Sequence, residues 1–250
     1  MDASKDTTNT APSRGAPDDA DGGVHMATTA VVRDRPFGPD AAAILATEHW
    51  SLIATRSLIW NEAMSRATVF LTVLSASIIA LALLADATGF GPHTTTVALV
   101  LLPVVLLLGV ATYVRLVQIN TEEFQLVLAM NRLRRAYLVI APGLEPYFTT
   151  GHHDDERSVV TTYMLDHPGV WRLWVHFLVN TPTVVATVDA ALAATIVVLV
   201  TQAVDAPAVA VVSAAAVVFL AVWGTLFPLQ RYTLRPLRKT PRFPTPPDVP

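Results

Sequence analysis

Residues 67–85 read ATVFLTVLSASIIALALLA, from Ala67 to Ala85, without one charged side chain. A backbone in hydrocarbon has no water to bond to, so such a run crosses a bilayer as a helix, and about 20 residues at about 1.5 Å rise cover its ~30 Å. Three more stretches match it, at about 96–114, 183–204 and 207–227, and of the four only the third carries a charge, Asp189. The segment from Asp86 to Thr95 joins the first two, and a shorter turn at Asp205, Ala206 and Pro207 joins the last two. Short connections make antiparallel neighbours. The sequence therefore predicts an all-α membrane protein, with four transmembrane helices in two antiparallel hairpins and helical extensions outside the bilayer.

Composition agrees. Of 250 residues, 52% are hydrophobic and 15% charged, too apolar for an ordinary soluble domain. No cysteine is present, which removes disulfides, thiolate metal sites and a thiol nucleophile together. A net charge of −3 does not point to nucleic acid.

Lysine and arginine are segregated: six precede the first span, six lie in the central segment, five follow the last span, and neither hairpin turn holds one. Positive residues stay in the cytoplasm, so both termini and the central connection are expected there. The domains follow: 1–39, an Asp-, Thr-, Ala- and Pro-rich segment expected to be disordered; 40–142, a helical extension and the first hairpin; 143–182, a cytoplasmic connection; 183–227, the second hairpin; 228–250, a basic, proline-rich tail. The first segment lacks the apolar run of a secretory signal.

Outside the bilayer, residues 43–66 place Trp50, Ile53, Trp60 and Met64 on one helical stripe, and 118–140 place Leu126, Met130, Leu133 and Tyr137 on another. The expected packing sets one stripe against the other as an antiparallel stalk. Val170 to Asn180, with Trp171 and Trp174, is expected to be an interfacial helix. Asn61 and Asn180 each stand 25 residues before the turn acids Asp86 and Asp205, a faint sign of a repeated hairpin.

Three sets of residues carry candidate chemistry. Asp189 is ionisable inside a span and borders a small-residue face of Ala186, Ala190, Ala193 and Ala194; by depth its neighbours are Thr72, Ser75, Gly109, Thr112, Trp223 and Thr225. It reads either as helix glue or as part of a proton or cation path. The stretch Gly151-His152-His153-Asp154-Asp155-Glu156 offers His152, His153 and Glu156 to a metal only if Glu145 or His167 folds back. The alternative reading makes its acids the first turn of a helix running to about Leu165. Arg231, Arg235, Arg238, Lys239 and Arg242 form a juxtamembrane basic patch suited to anionic lipid headgroups, on a tail expected to be solvated. No phosphate-cradling loop, zinc-protease motif or nucleophile elbow occurs, so no enzymatic activity and no cofactor is expected.

The groups Glu48-His49-Trp50-Ser51, Arg56-Ser57-Leu58, Trp60-Asn61-Glu62, Glu145-Pro146-Tyr147-Phe148 and Gly151 to Asp155 resemble those of uncharacterised bacterial four-span integral membrane proteins, over about residues 44–230. That family carries no assigned reaction. The resemblance implies a multi-pass protein of the bacterial inner membrane. The layout of hairpin and extensions is similar, more loosely, to two-span bacterial effector domains that perforate membranes. The expectation drawn from the whole is a non-enzymatic, oligomeric or partner-binding membrane module. Its alternatives are a small channel or transporter with Asp189 on the path, or a metal-dependent activity at His152 to Glu156.

Overall fold

The computed structural model describes residues 37–89, 91–163, 180–234 and 241–246. It contains five α-helices among those residues: α1 (Ala41–Thr88), α2 (Pro92–Ile140), α3 (Glu156–Thr162), α4 (Thr181–Ala203) and α5 (Ala208–Leu234), with a 3₁₀ turn at Pro142–Tyr147. Four of them, α1, α2, α4 and α5, contain windows long and apolar enough to cross a membrane. The chain is a multi-pass membrane protein.

The helices are longer than the spans they contain. With 48 and 49 residues, α1 and α2 would each measure about 72 Å, more than twice the hydrocarbon thickness. The stalk is thus the direct continuation of the first two spans. No proline or glycine interrupts α1, so one face runs unbroken from bilayer to stalk. Within the span that face is Ala63, Ala67, Phe70, Leu74, Ser77 and Leu81, all buried or half-buried at alternating steps of three and four. Extended downward by two successive steps of four and then by threes and fours, as 3.6 residues per turn requires, it meets Ile59, Arg56, Leu52 and His49.

This register keeps the antiparallel stalk but corrects the stripe that α1 brings to it. The membrane seam brings Leu52 against the cluster of Val127, Met130 and Val159, stacks His49 on Tyr137 at 6.0 Å, and joins Arg56 to Glu123 at 2.8 Å. The stripe of Trp50, Ile53, Trp60 and Met64 lies about 100° further round the helix and faces outward, Trp60 turning its indole N–H back to Glu123. Trp50 is 71% exposed and Trp60 47%. Bulk and apolarity suggested these residues were core, but a straight helix has one inward face and the span had already chosen it.

The two hairpin turns are built differently. Gly89 takes φ +76° and its carbonyl accepts from Gly91 N and from the Thr94 hydroxyl. In the second turn Asp205 adopts φ 51°, and Ala206 N returns to Thr201 O at 3.1 Å, closing α4 before Pro207 starts the next helix. Hydroxyls in the spans are satisfied within their own helices: Thr72 donates to Thr68 O, Ser77 to Val73 O, Thr112 to Leu108 O and Thr187 to Thr183 O. In lipid this back-bonding removes a polar cost, and it also withdraws those groups from other partners.

Across helices, the Tyr113 hydroxyl of α2 donates to the Leu226 carbonyl of α5, and Trp223 Nε1 of α5 donates to Thr187 Oγ1 of α4 at 3.2 Å. Val105, Leu116, Val185 and Ala186 fill the apolar centre. Asn180 caps α4 by accepting from Thr183 N at 3.0 Å. Asn61 sits inside the unbroken α1, so the two asparagines play unlike roles and mark no repeat. The expected interfacial helix at 170–180 lies outside the described residues except for that cap, and the segment 1–39 does so up to Pro36.

Candidate functional site

The acidic stretch is anchored from below by α2. Asn131, wholly buried, donates from Nδ2 to His153 O at 3.0 Å and to Ser158 Oγ at 3.3 Å, while His153 N donates to the same Ser158 Oγ at 2.9 Å. Gly151 is required here: a Cβ would lie 2.2 Å from the carbonyl oxygen and hydroxyl of Ser158. The turn therefore packs backbone to backbone against the start of α3.

The carboxylates then divide. Asp155 Oδ1 accepts from Ser158 N at 2.9 Å and so caps α3, which begins at Glu156 and ends at Thr162. This shortens the expected helix and moves its start: the acids precede the first turn, and only Glu156 belongs to it. Asp154 turns away. Its side chain is completely buried, Oδ2 accepting from Arg132 Nε and from Arg242 N, both at 2.9 Å, and Oδ1 from Phe243 N at 2.7 Å. Asp154 N returns a bond to Phe243 O at 3.2 Å, and Asp155 Oδ2 accepts from Thr245 N at 2.7 Å.

The two acids thus hold an extended strip of the carboxy-terminal segment, Pro241 to Pro246, by its backbone. The expected solvated tail is corrected over these residues: proline fixes the extended geometry, which points successive N–H groups at fixed acceptors. Burial alone would raise the Asp154 carboxyl, but the N–H groups of Phe243 and Arg242 and the Arg132 guanidinium outweigh it and hold it below the usual range. Asp155 is lowered too, burial being outweighed by Ser158 and Thr245.

The histidines sit beside this clasp. The rings of His152 and His153 are 4.3 Å apart, and His152 Nε2 is 3.8 Å from Glu145 Oε1, so Glu145 does fold back. Burial depresses both imidazoles, aided by Arg135 and, for His152, by the neighbouring His153, which favours their neutral forms. Among the described residues no three His, Asp or Glu side chains converge as metal ligands. His167 lies outside the described residues. The basic patch is seen only at Arg242, whose guanidinium is 5.8 Å from the centre of the Phe243 ring. Arg235, Arg238 and Lys239 lie outside the described residues and so does the side chain of Arg231.

A charged belt separates this region from the apolar spans. Arg115 pairs with Glu62 at 2.9 Å and Glu122 at 2.8 Å, and Glu62 also takes Arg66 at 2.8 Å. Hydrogen bonds from Arg115 and then Arg66 draw the Glu62 carboxyl down to about 2. Just below the belt, Glu123 accepts from Arg56 at 2.8 Å and from Trp60 Nε1 at 3.3 Å.

Above the belt, Asp189 is 0% exposed, and neither carboxylate oxygen has a hydrogen-bond partner among the described residues. Of the neighbours expected by depth, Gly109 lies against it: a Cβ on Gly109 would come 1.8 Å from Asp189 Oδ1 and 2.8 Å from the Phe70 ring. Thr72, Thr112 and Trp223 are committed elsewhere, as described. Carrying an acid to this depth costs about 2.5–3.5 kcal/mol on insertion scales.

The fold defines the class, a multi-pass α-helical membrane protein with a long membrane-external stalk. Compared with protein-family models, curated proteins and solved structures, the chain matches none.

Proposed function

We propose that the chain is a non-enzymatic membrane module that associates with a second copy of itself through the outer face of α1. One observation carries this reading: from Trp50 to Ile79 that face is exposed, carries no charge and crosses the belt without interruption. Outside the bilayer it is Trp50, Ile53, Trp60 and Met64; inside, an open groove is lined by Thr68, Leu71, Thr72, Ser75, Ala76 and Ile79. Of the charges of α1 over this length, Glu62 and Arg66 lie on the other side in the belt, and Arg56, one turn from Trp60, is tied to the same Glu123. Apolar aromatics turned to water on the part of a helix that lies outside the bilayer are what an interface leaves behind when its partner is removed.

The occupant follows from symmetry. Copies inserted in one membrane share an orientation, so their α1 helices meet in parallel about an axis along the membrane normal. A stripe at steps of three and four is the seam a parallel coiled coil uses, with small residues at close approach in the bilayer. The lysine and arginine distribution supports cytoplasmic termini and a cytoplasmic stalk, and the basic tail supports contact with anionic lipid. The channel or transporter reading finds less support, since a path needs an acid open to water and Asp189 is sealed.

The test is the mass of the protein in lipid nanodiscs and in mild detergent. Wild type is expected as a dimer, and the pair Trp50→Ser with Ile53→Ser as a folded monomer. A monomeric wild type, or a double variant as dimeric as wild type, sinks the reading.

A further inference from the structure

We infer that Asp189 is a proton-binding site at the centre of the membrane core, and that α4 is packed against α2 around the neutral acid. The inference is independent of the α1 face. Its basis is geometric: the side chain is fully enclosed, both oxygens are without a hydrogen-bond partner among the described residues, and the enclosure is specific to it. Gly109 of α2 leaves the gap that Oδ1 fills, and the Phe70 ring of α1 closes on the same point.

No described element packed around it can neutralise a carboxylate. The four spans together hold no Lys, Arg, His or second acid. Tyr113 is the other titratable side chain in them, one helical turn from Gly109 on α2, and its hydroxyl donates to Leu226 O of α5. Trp223 of α5 gives its N–H to Thr187. On α4 itself the flanking residues Val185, Ala186, Ala190 and Ala193 are apolar and buried.

The ligand is a proton by elimination on coordination. A metal cation wants about six oxygens around it, whereas the neighbours here offer Asp189 oxygens and hydrocarbon. A single proton removes the charge without further ligands. Losing it would leave an unpaired carboxylate between Gly109 and the Phe70 ring, and the lowest-energy response is for the α2 and α4 seam to part and admit water. Protonation of Asp189 therefore sets how tightly the second hairpin holds the first.

Infrared spectroscopy of the full-length protein in nanodiscs, with ¹³C-labelled aspartate and at neutral pH, tests this. The expected result is a carbonyl stretch of a protonated carboxylic acid that shifts with the label and is absent from Asp189→Asn. A wild type showing only ionised aspartate overturns the inference. Should the variant fail to fold, wild type alone suffices through an alkaline titration with amide exchange followed in 102–112 and 185–193. Exchange that rises as the acid band disappears supports the coupling, and exchange that stays constant while the carboxylate forms overturns it.

Discussion

Asp154 and Asp189 are the same residue type, each with its side chain withdrawn from solvent, and their surroundings are opposite. Asp154 lies beside the stalk and accepts from a guanidinium and two backbone N–H groups. Asp189 lies in the bilayer core and accepts from none among the described residues. The difference follows from the solvent. Next to water, a chain can bring free N–H groups of an extended segment to an acid, because that segment can exist without secondary structure. In lipid every N–H is already bound within a helix, so a buried acid has only side chains to call on, and here the nearby hydroxyls are bonded to their own helices.

The contrast can be broken most forcefully at Gly109. Gly109→Ala drives a methyl into Asp189 and Phe70, and overpacking of this kind costs about 1–3 kcal/mol. Thermal unfolding in detergent should show that loss, and adding Asp189→Ala should recover most of it; additive effects of the two would disprove the contact. Next in size is Asp154→Asn, which removes the negative charge and one acceptor from the clasp. Hydrogen bonds to a charged group are worth about 1.5–3 kcal/mol, and the loss should appear as faster proteolysis of the segment 241–246 with the spans unchanged.

Acid should do the same reversibly. Because the Asp154 and Asp155 carboxyls are lowered in the folded protein, their contribution is complete above the ordinary aspartate value of about 3.9 and is lost as pH falls through their lower folded values. The tail should stay bound at pH values near 5 and be released only in stronger acid, as read by amide exchange at Arg242, Phe243 and Thr245. Release near neutral pH would mean that the histidines, not the acids, control the clasp. The smallest effect is expected at the belt: Arg66→Ala leaves Glu62 its bidentate partner Arg115 and should hardly move the unfolding temperature. A large change there would show the exposed pair to be structural.

Much of the architecture was legible because its signals are local. An uncharged run of 19 residues such as 67–85 admits one conformation in a bilayer, and the turn at Asp205 follows from short-range backbone needs. Asp189 was legible as an anomaly, an ionisable group among apolar ones, and Gly109 was among its expected neighbours. The tail clasp was not legible. It is made by backbone N–H groups, which every residue but proline possesses, so no residue type at 241–246 announces it. The Asp155 to Ser158 spacing was the one available hint, and it points to a helix cap.

The stalk shows where the boundary falls. By itself the sequence determined that α1 and α2 are helices, that they cross the membrane and that Trp50, Ile53, Trp60 and Met64 share a stripe, since periodicity and hydropathy are properties of a single segment. Which stripe turns inward depended on the partner helix. The seam fixed by Ala67, Phe70 and Ser77 in the span propagates down a rigid rod and carries Leu52 and Arg56 into the core. Only the tertiary structure decided that Trp50 would face out and that Trp60 would keep just its indole N–H on Glu123, because a helix cannot rotate one half of itself against the other.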